Sequence, residues 1–140
     1  MVKNLSLIAV FSLGAFLVPA IAANAPELTA CGIVTGADAQ KFIAHPKAHH
    51  CLRVLIEINE QDLAVGMDAY RGVMAILDGA GLRLPRLLHG LDATMWDFYR
   101  EALAQNLDAR IGLEDGKHLP AGTVADSNAA LIAAARALVP

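Results

Sequence analysis

Cysteine occurs only twice in these 140 residues, at Cys31 and Cys51, and never as Cys-x-x-C. That absence removes the spacing a zinc knuckle or a thioredoxin-type redox pair needs. Lys and Arg number 11 against 14 acidic residues, for a net charge of −3, and they are scattered. With no basic stripe and one Trp, two Tyr and four Phe in the whole chain, no nucleic-acid partner is expected. No long charged run marks a disordered segment. No self-similar period of solenoid length occurs.

Hydrophobic sequence is plentiful, at 56% of residues, and the length suits one domain with a buried core. The amino end stands apart. Lys3 precedes an apolar run from Leu5 to Leu17, and Pro19 leads into Ala20-Ile21-Ala22. A positive start, an apolar middle and a small-x-small site form the layout of a secretory signal. The same run, continued to Ala23, approaches the length of an uncleaved membrane anchor. It also reads as an apolar helix or strand of a larger domain. The expected division is therefore 1–23, a signal-like or anchor segment, and 24–140, the folded part. If the chain is exported to the periplasm or beyond, Cys31 and Cys51 can pair; if not, Cys51 reads as a buried thiol opening an apolar strand.

From residue 36 onward the pattern alternates. Gly36 to Phe42 predicts a short helix, and Leu52 to Ile58 a buried strand. Asn59 to Asp62 supplies a loop and a cap, and Leu63, Met67, Tyr70, Val73, Met74 and Leu77 mark one helix face stopped by Gly79 and Gly81. Leu84 to Leu88 predicts the next strand, ending at His89-Gly90. Asp92 or Thr94 can cap a helix from Met95 to Gln105, with Trp96 on its packing face. Leu107, Ile111 and Leu113 read as a third strand, closing on Glu114-Asp115. Asp126 or Ser127 caps a last helix, Asn128 to Leu138. Alternating strands and helices predict a parallel sheet, and in such folds functional groups gather at the carboxyl ends of strands. Glu57 and Asn59, His89, and Glu114 with Asp115 occupy those positions. The run Arg110-Ile111-Gly112-Leu113-Glu114-Asp115 holds a guanidinium and two neighbouring carboxylates, a set suited to one hard metal ligand and one base. The plain alternative is a strand ending in solvated charge.

Leu88-His89-Gly90, Ala93-Thr94-Met95-Trp96, Asp108 to Asp115, Leu119-Pro120, Gly122, Ala125 and Asn128-Ala129-Ala130-Leu131 together resemble the carboxyl-terminal part of the β-keto acid cleavage enzymes, typified by 3-keto-5-aminohexanoate cleavage enzyme. Arg53 to Ile58 fits the same family, and Gly32 to Phe42 fits it more loosely. The resemblance implies an α/β fold, the last three or four units of a (β/α)8 barrel whose full length is about 250 residues. It implies a cytoplasmic enzyme that converts a β-keto acid and acetyl-CoA into acetoacetate and a new CoA thioester, using zinc or another divalent metal. Glu114 then matches the metal-binding glutamate, Asp115 the acid–base aspartate and Arg110 the arginine that orients it; His89 is assigned to the substrate pocket. The family's His-x-His zinc ligands are absent. His89-Gly90-Leu91-Asp92 stands where the family commonly has His-Gly-Glu-Gly, and Leu119-Pro120-Ala121-Gly122 where it has Leu-Pro-Asp-Gly. His49-His50 precede a strand and are poorly spaced for one metal. A truncated member with an incomplete zinc set is therefore expected, either alone, as a homo-oligomer, or with a complementing chain. The competing expectation is a non-catalytic exported α/β module stapled by Cys31 and Cys51.

Overall fold

β-Branched and apolar residues at alternate positions build the centre of the sheet. In β2 (Arg53–Ile58), Val54, Ile56 and Ile58 are buried while Arg53, Leu55 and Glu57 are only partly so. Period-two alternation sends these two sets to opposite faces. The computed structural model describes residues 30–139, and β2 pairs there with β1 (Ala30–Ile33) on one side and β3 (Arg86–Gly90) on the other. A two-residue β4 (Asp108–Ala109) completes a four-stranded parallel sheet in the order β1-β2-β3-β4. The mixed α/β fold with a parallel sheet is as the alternating pattern predicts. The apolar segment 1–23 lies outside the described residues.

The helices follow their sequence signals closely. α1 (Gly36–Ala44) opens on a capping box, in which Thr35 Oγ1 accepts from the Asp38 N–H and Asp38 accepts from the Thr35 N–H. α2 (Leu63–Gly79) is capped by Asp62, whose carboxylate accepts from the Val65 N–H at 3.0 Å. The chain leaves it through Gly81 at φ +67°, a conformation that favours glycine. α3 (Met95–Ala104) starts after Thr94, but the Thr94 hydroxyl donates to the Glu60 carbonyl instead of capping. α4 (Asn128–Ala137) is capped by Ser127. Among the described residues no helix is long and apolar enough to cross a membrane.

Ile33, Val54, Ile56, Ile58 and Leu88 form one core with Ala39 of α1, Tyr70, Val73 and Leu77 of α2, and Phe98 and Ala102 of α3. Register makes these strand residues neighbours, since Ile33 pairs with Ile56 and Ile56 with Leu88. α1, α2 and α3 therefore share one face of the sheet. A second cluster joins α3 to α4 through Met95, Trp96, Tyr99, Ile111, Leu131 and Ala135. Trp96 packs there as its helix position predicts, and its Nε1–H donates to the His118 carbonyl at 2.7 Å. The approach of α3 to β3 is close at Gly90. A Cβ there would lie 2.6 Å from a Phe98 ring carbon and 2.8 Å from the Thr94 carbonyl oxygen. Gly90→Ala is expected to cost about 2 kcal/mol of stability through overpacking, read from a denaturant midpoint.

Three features differ from the sequence expectation. β3 begins at Arg86 rather than Leu84 and runs through His89-Gly90. Pro85 explains the shift: it has no N–H, and its carbonyl accepts from the Val54 N–H just before the strand begins. The third predicted strand shrinks to Asp108–Ala109. Ile111 is drawn into the α3–α4 cluster, and from Gly112 the chain closes a turn, with the Asp115 and Gly116 N–H groups both donating to the Gly112 carbonyl. Leu113 is 36% exposed and is not a strand residue. Finally, Cys31 and Cys51 form a disulfide, 20 residues apart in sequence. The reading of Cys51 as a free buried thiol is corrected accordingly.

Candidate active site

Three neighbouring strands each deliver a polar side chain at their carboxyl ends. Glu57 lies one residue before the end of β2, His89 one before the end of β3, and Arg110 directly follows β4. Glu57 and His89 are register partners, so both face the side of the sheet away from α1–α3. Lower on that face Arg53 Nη1 pairs with Asp108 Oδ2 at 3.3 Å.

The turn after Gly112 brings the fourth member. Asp115 is buried, and its carbonyl is fixed by the Asp92 N–H at 2.6 Å. Its carboxylate receives the Arg110 guanidinium through both oxygens: Nη2 donates to Oδ1, and Nε to Oδ2 at 3.3 Å. A two-pronged contact of this kind fixes orientation as well as charge. His89, whose side chain is fully buried, places Nδ1 3.3 Å from Asp115 Oδ1 and 3.4 Å from Arg110 Nη2. Its Nε2 lies 3.4 Å from Glu57 Oε2, within ion-pair reach but without the alignment of a hydrogen bond. Burial is the strongest single influence on the Asp115 carboxyl and pushes its pKa up. The hydrogen bonds and charges of His89 and Arg110 together outweigh it, so the net shift is downward from the ordinary 3.8.

The two acids of the 110–115 run part company. On a continuous strand Arg110 and Glu114, four residues apart, would share one face. A turn rotates successive residues by about 100° where a strand would place them on opposite faces, and this turn pairs Arg110 with Asp115 instead. Glu114 is exposed, its carboxylate folded over Gly112 where a Cβ would sit. His49 and His50 are exposed in a short 3-10 turn, Ala48–His50, and stack edge-on. Glu57 is the site residue that sequence reasoning did not single out beyond its place at a strand end. The alternation that buries Val54, Ile56 and Ile58 carried the signal for its face; its pairing with His89 depends on register.

A catalytic zinc site takes three protein ligands. Among the described residues no group of three or more His, Cys, Asp or Glu is arranged to hold a metal. Exposed Glu114 by itself does not fit that requirement. Two clefts lie elsewhere: one of about 440 Å³ beside the disulfide, and one of about 520 Å³ lined by Asp78, Arg83, Pro85 and Asn106.

No protein-family model matches the chain, and no curated protein matches it significantly.

Proposed function

We propose that residues 30–139 are the carboxyl-terminal strand–helix units of a (β/α)8 barrel of the β-keto acid cleavage type, with Asp115 as its acid–base group. Sequential parallel strands with their helices on one face are the arrangement that closes into a barrel, whereas a doubly wound sheet reverses its strand order. The observation that carries the reading is the buried Asp115 carboxylate, gripped by Arg110 at the carboxyl end of the sheet and touched by His89. Held ionised, it can take a proton from the carbon beside a keto group and return it later. Arg110 keeps that carboxylate charged and aimed. His89 and Glu57 border the space a β-keto acid would occupy. The cosubstrate is acetyl-CoA. The described residues do not complete a zinc site, so no step is assigned to a metal.

The test is acetoacetate formation from a panel of β-keto acids with acetyl-CoA by the purified chain, with and without added zinc. Turnover is expected to require both substrates and to fall at least about 100-fold in Asp115→Asn, with folding retained. Turnover that survives this change removes Asp115 from the acid–base role. Total inactivity of the wild-type chain under every condition removes the catalytic reading.

The Cys31–Cys51 bond favours a second reading, a non-catalytic exported α/β module. Disulfides persist in oxidising compartments, and the Lys3–Ala22 segment has the layout of a secretory signal. Amino-terminal sequencing separates the two: a mature start at Ala23 supports export, and an intact Met1 in the cytosolic fraction supports the enzyme.

A further inference from the structure

We propose that the Cys31–Cys51 disulfide is a thiol-exchange site selective for small anionic thiols. This goes beyond either functional reading and depends on neither. The bond does not lie in the apolar core. Cys31 sits on β1 and Cys51 ends the 3-10 turn before β2; both are half-buried, and both line the cleft of about 440 Å³. Lys41, His45 and His50 share that wall with the apolar Phe42 and Ala48. Asp38 also borders it, but its Oδ2 is turned to the helix start, accepting from the Thr35 N–H at 3.0 Å and the Thr35 hydroxyl at 2.7 Å. Lys41 keeps only a loose pairing with Asp38 Oδ1, at 3.9 Å, and its side chain is 81% exposed.

Exchange needs access to a sulfur and a stabilised leaving thiolate. The cleft offers the first. Neighbouring cations offer the second, because they favour thiolate over thiol. The same cations raise the local concentration of a negatively charged attacker. In the first step an external thiolate attacks one cysteine sulfur and the S–S bond breaks. Its electron pair leaves on the other cysteine, which takes a proton from solvent. A second thiolate then attacks the mixed disulfide. The chain gains two electrons and two protons, and the two external thiols are released as their own disulfide. The ligand class is a low-molecular-weight thiol carrying carboxylate or sulfonate.

The experiment uses the full folded chain. Reduction by 2-mercaptoethanesulfonate (anionic) and 2-mercaptoethylamine (cationic) is followed by alkylation and mass measurement, each rate divided by that thiol's rate on a small neutral disulfide. The normalised anionic rate is expected to exceed the cationic one by about threefold or more at low salt, and the ratio to approach one at high salt as screening sets in. Lys41→Gln should lower the ratio, and circular dichroism before reduction verifies its fold. A bond that resists both thiols until denaturant is added overturns the proposal. So does a low-salt ratio of one or below.

Discussion

Arg110→Gln is expected to destabilise the fold by about 3 kcal/mol and to weaken its pH dependence. The Asp115 side chain has no exposed surface, while that of Arg110 is 19% exposed. Removing the guanidinium strands a buried carboxylate, whose cost is set by its desolvation and not by the modest worth of the pair. His89 still touches Asp115, so the low end of the usual range for a broken buried pair applies. In the wild type the folded pKa of Asp115 lies below its ordinary 3.8, so its stabilising contribution is present above that value and is lost as pH falls through the folded one. In Arg110→Gln the carboxyl loses the guanidinium but keeps its burial and its His89 contact, so it moves up from its wild-type position and less stability is lost as pH falls. Denaturant midpoints from about pH 3 to about pH 7 distinguish the two slopes. Asp115→Asn alone should cost less, because the freed guanidinium already reaches water. The double variant should recover much of the Arg110→Gln loss. Parallel slopes in wild type and Arg110→Gln would mean that the pair does not govern the Asp115 charge.

The helices were legible because their signals are local. Asp62 and Ser127 announce their starts, and the spacing of Leu63, Met67, Tyr70, Val73 and Leu77 announces the α2 face. Strand ends were less legible, because they depend on which backbone groups find a partner. Pro85 cannot donate, so the apolar run beginning at Leu84 enters the ladder at Arg86. Leu107, Ile111 and Leu113 looked like one strand because their apolar spacing fits period two. Nothing local said that Ile111 would be claimed by α3 and α4, or that Gly112 would begin a turn. The site divides in the same way. Residue types placed Arg110 and Asp115 together through a resemblance, whereas the outward course of Glu114 follows from the turn. The contact of Glu57 with His89 follows from register between strands more than 30 residues apart, which no single-segment pattern encodes. The disulfide lay open for a related reason. Its two cysteines meet only because β1 and β2 pair side by side, with Cys31 opposite Val54 and Cys51 just before that strand.

That pairing makes Cys51→Ser the second large perturbation, with an expected loss of about 3 kcal/mol. The figure follows from closure of a loop of about 20 residues in the unfolded chain, and its sign does not depend on how the bond is divided between enthalpy and entropy. The location of the effect is more telling than its size. Among the described residues β1 has one strand neighbour, and its four residues are a short hold for the first strand–helix unit. The bond fastens this edge to the start of β2 and closes a loop containing all of α1. α1 retains its capping box and its contact with α2, so it is not expected to unfold outright. Cys51→Ser should therefore raise amide exchange across β1 and α1 by a larger factor than across α2, β3 and α3, where the core of Ile56, Val73, Leu88 and Phe98 is unchanged. Equal acceleration everywhere would show that the bond stabilises the chain only globally, through its unfolded state. Unchanged exchange with an unchanged denaturant midpoint would show that strand pairing and the α1–α2 contact already hold the edge without it.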